Sequence, residues 1–410
     1  MPTSVDWPTH DLVSHRAATT PDRTAIIDAD TGDSRTFREL DTAVDRRAAA
    51  IENHCDTQTP TVGTVLDTRP AFAEVFFAVQ RLGGRLVPLN VRLTPAEIAA
   101  QIDRVDLDLL VCDAATAATA TEVTVAPVAT VDSPERDGIV QLLGAADATG
   151  DPAALARDTE VLVMFTSGTT GQPKGVRLTM GNLVASATAS AFRLGIHPTD
   201  RWLCCLSMYH MGGLAPVFRS ALYGTTVVIQ RDFDGEHTQT VMDEYAVSGL
   251  SLVPTMLTRL LDAGWEPAGR LRFVLLGGAP ASAELIERCK STGAPVHPTY
   301  GMTETASQIA TATPEQAFAH EGTAGQPLLC TDVSVVDERG DPCEDGDTGE
   351  LVVDGPTVTP GYLDEATTDT AFGAFGLHTG DIGYRDDDGR LWVLNRTDDQ
   401  IITGGENVDP

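Results

Sequence analysis

The chain has 410 residues, 42% of them hydrophobic and 5% aromatic, which is more than one hydrophobic core absorbs and too apolar for a disordered protein, so two or three packed lobes are expected. Acidic residues outnumber basic ones 59 to 28, for a net charge of -31, and there are two lysines, Lys174 and Lys290. That balance excludes a nucleic-acid binder, and the acidic residues are spread along the chain rather than gathered into one face for a basic partner. They suit a halophile's cytoplasm, because at about 1 M salt the Debye length falls to roughly 3 Å and self-repulsion is screened. Seven cysteines (Cys55, Cys112, Cys204, Cys205, Cys289, Cys330, Cys343) form no C-x-x-C pair and their number is odd, so reduced thiols are expected rather than disulfides or a zinc site. Met1 to Arg16 lacks a basic stretch followed by an apolar run, and nowhere do 18 apolar residues follow one another; a soluble, cytoplasmic protein is the expectation.

Up to about residue 320, short apolar strands alternate with amphipathic helices, the pattern of α/β layers with mostly parallel sheets, here divided into subdomains of about 1–160 and 161–324. Thr94-Pro95-Ala96-Glu97 spells a helix start, with a capping hydroxyl, a first-turn proline and a glutamate that bonds back, followed by Ile98, Ile102 and Val105 on one face. The Ala/Thr-rich stretch 114–130 reads as a surface connection around short strands. The run Val161 to Phe165 leads into Thr166-Ser167-Gly168-Thr169-Thr170-Gly171-Gln172-Pro173-Lys174-Gly175, before a helix that starts near Met180. Glycines and small hydroxyl residues let backbone approach polyphosphate oxygens closely, and N–H groups, hydroxyls and one lysine supply donors; no Gly-Lys-Ser/Thr follows at Walker spacing.

Further on, His210 stands in the loop-like string Tyr209 to Leu214, and Arg219 follows in what taken alone is a solvated helix. Leu276-Gly277-Gly278-Ala279-Pro280 follows a buried run and would let a flat ligand lie against bare backbone, although a Gly-Gly after a strand is otherwise just a tight turn. Tyr300-Gly301-Met302-Thr303-Glu304-Thr305 gathers an aromatic ring, a hydroxyl and a carboxylate within five residues. From about Gly325 the texture changes to short β-type runs, Val333 to Val336 and Glu350 to Val353, broken by acidic Gly-containing turns, as in a small antiparallel sheet or barrel over 325–395. His378-Thr379-Gly380-Asp381 and Asn395-Arg396-Thr397-Asp398-Asp399-Gln400 close the series.

The string from Thr166 to Gly175 resembles the signature of the acyl-adenylate-forming superfamily, which includes acyl-CoA synthetases, luciferases and adenylation domains. Pro21 to Ala25, Thr36 to Leu40 and Gly84 to Leu93 look like that family's early segments, so the resemblance covers essentially the whole chain. It implies a large AMP-binding domain over 1–395, a hinge over 396–410, and a small C-terminal domain that would begin where this chain stops; the isolated piece is then expected to bind ATP and acid but to turn over poorly. By the same resemblance the phosphate loop comprises Thr166, Ser167, Gly168, Thr169, Thr170, Gly171 and Lys174. Gly278, Ala279, Pro280, Tyr300 and Gly301 would hold adenine, Thr303 would meet the α-phosphate, and Glu304 would hold Mg2+. Asp381 would anchor the ribose, Arg396 would contact ribose or phosphate, and Asp398 would be the pivot. His210, Gly213, Gly277 and Ser307 would line the acyl pocket, with Lys174, His210, Thr303 and Glu304 outranking any general base. Asn395 stands where the family usually has Gly or Asp, a change that asparagine's tolerance of left-handed backbone would make harmless.

Arg219 falls where 2-succinylbenzoate-CoA ligases of menaquinone synthesis carry a basic residue, and a buried second carboxylate needs such a partner. The implied reaction takes a carboxylic acid through acyl-AMP to acyl-CoA, using ATP, Mg2+ and CoA, with no nucleic acid or membrane partner; dimers are frequent among similar enzymes. A fatty-acid or aryl-acid CoA ligase, a carrier-loading adenylation module and a catalytically silent nucleotide-binding remnant stay open as alternatives.

Overall fold

Runs such as Leu109–Cys112, Thr226–Ile229 and Phe273–Leu276 are rich in leucine and β-branched residues and are buried at every position, as strands covered on both faces must be. The computed structural model describes residues 10–145, 150–166 and 173–396, together with the backbone of the short strands Ile401–Thr403 and Glu406–Val408. One sheet has seven strands, in the order Ile139–Gln141, Val128–Thr130, Leu109–Cys112, Thr61–Val65, Arg85–Pro88, Glu160–Thr166 and Lys174–Thr179. All its pairings are parallel except the last, where the chain folds back on itself on either side of the predicted phosphate loop.

The second sheet has nine strands, running from Gln326–Pro327 through Ala310–Thr311, Val296–Tyr300, Phe273–Leu276, Gly249–Leu252, Arg201–Cys204 and Thr226–Ile229 to Thr24–Asp28 and Ser34–Thr36. Its six inner strands are parallel. The sheets therefore do not follow a cut at residue 160: Thr24–Asp28 pairs with Thr226–Ile229, and Glu160–Thr179 completes the first sheet. Strand pairing is decided by which edge remains open, and linear order does not reveal that. A third, antiparallel sheet contains Asp332–Val336, Gly349–Asp354, Gly376–Arg385, Phe372–Gly373 and Leu391–Arg396, and no ladder closes it into a barrel among the described residues.

One core runs between the two large sheets, joining Val62 and Val111 of the first to Val227 and Ile229 of the second through helices Pro70–Arg81, Met180–Leu194 and Met211–Tyr223. Helix starts follow local chemistry. Thr94 and Glu97 make the reciprocal capping box and Pro95 opens the helix, while Ile98, Ile102 and Val105 are buried. Thr179 with Asn182 does the same at Met180. The Ala/Thr-rich stretch is not merely a connection: Ala117–Val123 is a helix whose Ala117, Ala120 and Val123 are buried, because alanine at a spacing of three makes a narrow helical face as readily as a loop. Asn395 lies in an extended strand opposite Ile382, so its tolerance of left-handed backbone is not used. All seven cysteines are free, and no described helix is long and apolar enough to cross a membrane.

Candidate active site

Parallel strands Phe273–Leu276 and Val296–Tyr300 are neighbours, so the segments leaving their C-terminal ends, Gly277 to Pro280 and Gly301 to Ser307, emerge side by side; such strand ends are where open α/β sheets bind ligands. Gly278, Ala279 and Pro280 are exposed there. Thr303–Thr305 is a single 3-10 turn, and the next two residues carry positive φ, 52° at Ala306 and 120° at Ser307. Non-glycine residues hold such angles only when their surroundings impose them. Gly301 is part of that imposition, since a Cβ on it would lie 1.7 Å from the Ser307 carbonyl oxygen.

Glu304 is 6% exposed. Burial raises its pKa, opposed by hydrogen bonds from the backbone and Tyr362 and by the charges of Lys174 and Arg396. The Tyr362 hydroxyl donates to Glu304 Oε1 at 3.1 Å, and Lys174 Nζ sits 5.6 Å from the Tyr362 ring centroid. On the other side, Tyr300 Oη donates to Asp381 Oδ2 at 2.7 Å, and Arg396 Nε lies 3.3 Å from Asp381 Oδ1. Burial also raises the pKa of Asp381, outweighing the hydrogen bond from Tyr300 and the charge of Arg396. Lys174, Glu304, Asp381 and Arg396 thus converge, although they are contributed by two sheets and a turn. Thr166 pairs with Lys174 at the base of the predicted phosphate loop. Ser167, Gly168, Thr169, Thr170 and Gly171, and likewise Asp398, lie outside the described residues.

Two residues of this corner were not anticipated. Tyr362 is one. Glu350 is the other: its carboxylate accepts from Gly380 N–H at 3.0 Å and bonds His378 Nδ1 at 2.8 Å, which holds the strand segment that carries Asp381. A charged residue beside the buried run Leu351 to Val353 is the signal that could have pointed to Glu350. Tyr362 has only a preceding glycine to mark it.

On the far side of the Thr303–Thr305 turn, helix Met211–Tyr223 starts at His210, which is solvent-facing yet crowded; partial burial first, and the charge of Arg92 second, hold its pKa below the ordinary histidine value. One turn later the helix is fully interior. Arg219 is 2% exposed and lines a cavity of about 10 Å³, room for no more than about one water, with Phe76, Leu183, Ser186, Leu214 and Ala306 around it. Its Nη2 reaches Ser186 Oγ at 3.4 Å, its guanidinium lies 5.6 Å from the Trp202 ring, and no carboxylate pairs with it among the described residues. Burial lowers its pKa, with Tyr223 opposing. His210, Gly213 and Ser307 are sequence neighbours of cavity-lining Met211, Leu214 and Ala306, whereas Gly277 packs against Thr299 and is not among the lining residues.

No cluster of three or more His, Cys, Asp or Glu able to cage a metal exists among the described residues. One buried carboxylate with an oxygen not taken by Tyr362 fits Mg2+, which binds through one or two carboxylates while phosphates and water fill the rest of its octahedron.

Residues 13–363 match the family described as AMP-binding enzyme. A 2-succinylbenzoate--CoA ligase of Bacillus licheniformis is 38% identical over 403 residues, covering 97% of this chain and 81% of its own length. The solved o-succinylbenzoate CoA synthetase of Bacillus subtilis in complex with the acyl-adenylate intermediate OSB-AMP superposes with a TM-score of 0.92 at 36% identity, over 98% of this chain and 81% of that one. The same enzyme with ATP and a magnesium ion gives a TM-score of 0.91 at 35% identity, over 98% and 82%.

Proposed function

The chain belongs to the AMP-binding enzyme family, and from that premise we propose that it is an AMP-forming acid-CoA ligase that activates 2-succinylbenzoate with ATP and transfers the acyl group to CoA. The observation that carries the choice of acid is Arg219, a buried guanidinium beside a small cavity with no anionic partner among the described residues. A guanidinium in that state costs free energy that a second substrate carboxylate offsets once the cavity, sized here for about one water, opens to admit it. A monocarboxylic fatty or aryl acid has no group for it.

In the first half-reaction a substrate carboxylate oxygen attacks the α-phosphorus in line; the new P–O bond forms acyl-AMP as the bond to pyrophosphate breaks. No proton has to move, so rate comes from alignment and from fixed charge and donors. Lys174 and the loop from Thr166 to Gly171 hold the β- and γ-phosphates, and Thr303 donates to the α-phosphate. Tyr300 lies along the adenine beside Gly278 to Pro280, Asp381 accepts from the ribose hydroxyls, and Arg396 lies between ribose and phosphate. Glu304 would hold Mg2+, which would supply positive charge against the leaving pyrophosphate. His210 orients the attacking carboxylate at the start of the helix that ends near Arg219.

Acid-dependent exchange of pyrophosphate into ATP, measured in molar KCl, tests the reading. Exchange with 2-succinylbenzoate should exceed that with benzoate or a fatty acid by about 10,000-fold, because a site that leaves a buried polar group unpaired rejects the analogue lacking its partner. A preference for either monoacid would sink it.

A further inference from the structure

The segment from Thr359 to Leu363 has no part in the reaction just described, yet it is stitched to both halves of the phosphate corner. Thr359 N–H donates to the Glu304 carbonyl at 2.7 Å, and Arg177 N–H donates to the Gly361 carbonyl at 3.1 Å. Leu363 N–H donates to the Gly175 carbonyl at 2.8 Å, and Tyr362 forms a bridge with Val176. At Gly175 the approach is so close that a Cβ would stand 2.4 Å from Leu363 Cδ1. Asn182, at the start of the following helix, adds donations to the carbonyls of Pro356 and Val358 at 3.0 and 2.8 Å. Tyr362, 5% exposed, is therefore held by bonds to the strand that begins at Lys174 and to the turn that carries Glu304.

From that position the side chain meets both charges differently. Its hydroxyl takes Oε1 of Glu304 and not Oε2. Its ring face, rather than a carboxylate, receives the Lys174 ammonium. A carboxylate torsion is broad and nearly two-fold, so one fixed oxygen sets the plane of the group. A ring attracts an ammonium without neutralising it or consuming its three N–H donors, whereas a direct Lys174 to Glu304 pair would spend both charges on each other.

We propose that Tyr362 is a positioning residue that keeps Glu304 and Lys174 apart and aimed, so that the metal side and the phosphate side of bound Mg·ATP are set by one side chain. This rests on the nucleotide reading above. The hydroxyl acts on the metal side, the ring on the phosphate side, and the two functions separate by substitution.

Calorimetric titration of ATP into wild type, Tyr362→Phe and Tyr362→Leu in molar KCl, once with Mg2+ and once with EDTA, tests it. Tyr362→Phe should keep its EDTA affinity within about twofold and lose about tenfold of the affinity gained on adding Mg2+, the loss expected for one hydrogen bond to a charged group. Tyr362→Leu should also lose about threefold in EDTA, as the ring contact to Lys174 goes. Tyr362→Phe matching wild type in both media, or losing the same factor in both, overturns the inference, the second result being general damage to the pocket. Wild type that gains nothing from Mg2+ would instead bring down the assignment of Glu304 to the metal, and this inference with it.

Discussion

The phosphate corner and the Arg219 cavity lie on opposite sides of one short turn, Thr303 to Ser307, and they treat buried charge in opposite ways. In the corner, Glu304 has Tyr362, Lys174 has a ring face, and Asp381 has both Tyr300 and Arg396. Across the turn, Ser186 Oγ donates to the Ala306 carbonyl at 2.7 Å and leaves Arg219 only a long contact. In the corner each charge is met by the protein's own side chains, as expected where catalysis depends on alignment. The cavity stores an unmet demand, as expected where selectivity depends on what one acid brings and another lacks.

Replacing Arg219 is the severest way to break that contrast. Arg219→Met should lower kcat/KM for 2-succinylbenzoate by about 100-fold or more while leaving ATP affinity unchanged, since loss of one partner of a buried pair costs roughly 3–5 kcal/mol. The same variant should be about 1–4 kcal/mol more stable without ligands by denaturant titration, because an apolar side chain of similar volume replaces an isolated buried charge. Loss of stability together with activity would mean that Arg219 is a structural residue. On the other side, Asp381→Asn should weaken ATP binding by about tenfold, the cost of one charged hydrogen bond, with little change in acid selectivity. A shift in acid preference would erase the boundary between the two regions.

The smallest effect is in how stability depends on pH. Glu304 has a folded pKa raised by burial, so its favourable contribution is complete below the ordinary glutamate value and is lost as pH rises through the raised one. Glu304→Gln should therefore gain stability over wild type across that window as pH increases. The gain from Arg219→Met should stay flat between about pH 5 and 9, since arginine does not deprotonate in that range. Parallel pH profiles for the two variants would contradict the contrast.

Much of this arrangement was legible before folding. The mostly parallel sheets, the small antiparallel sheet, the helix cap at Thr94 and the helix start near Met180 came from patterns a few residues long. The division at residue 160 was not legible, because Thr24–Asp28 finds its partner about two hundred residues away. Arg219 was legible as a residue but not as a buried one, since on its own it is indistinguishable from an arginine on a wet helix face.

What the sequence determined by itself was the set of strings proposed to handle phosphate: hydroxyls, glycines, a lysine and a carboxylate stand close together in short strings, and a polyphosphate is recognised by consecutive backbone and short side chains. What only the tertiary structure decided was which charges are answered. Tyr362 reaches Glu304 across 58 positions and Glu350 bonds Gly380 across 30, while Arg219 is left without an acid among the described residues. Burial and pairing are sums over residues that are distant in the chain and neighbours only after folding, so no local string encodes them.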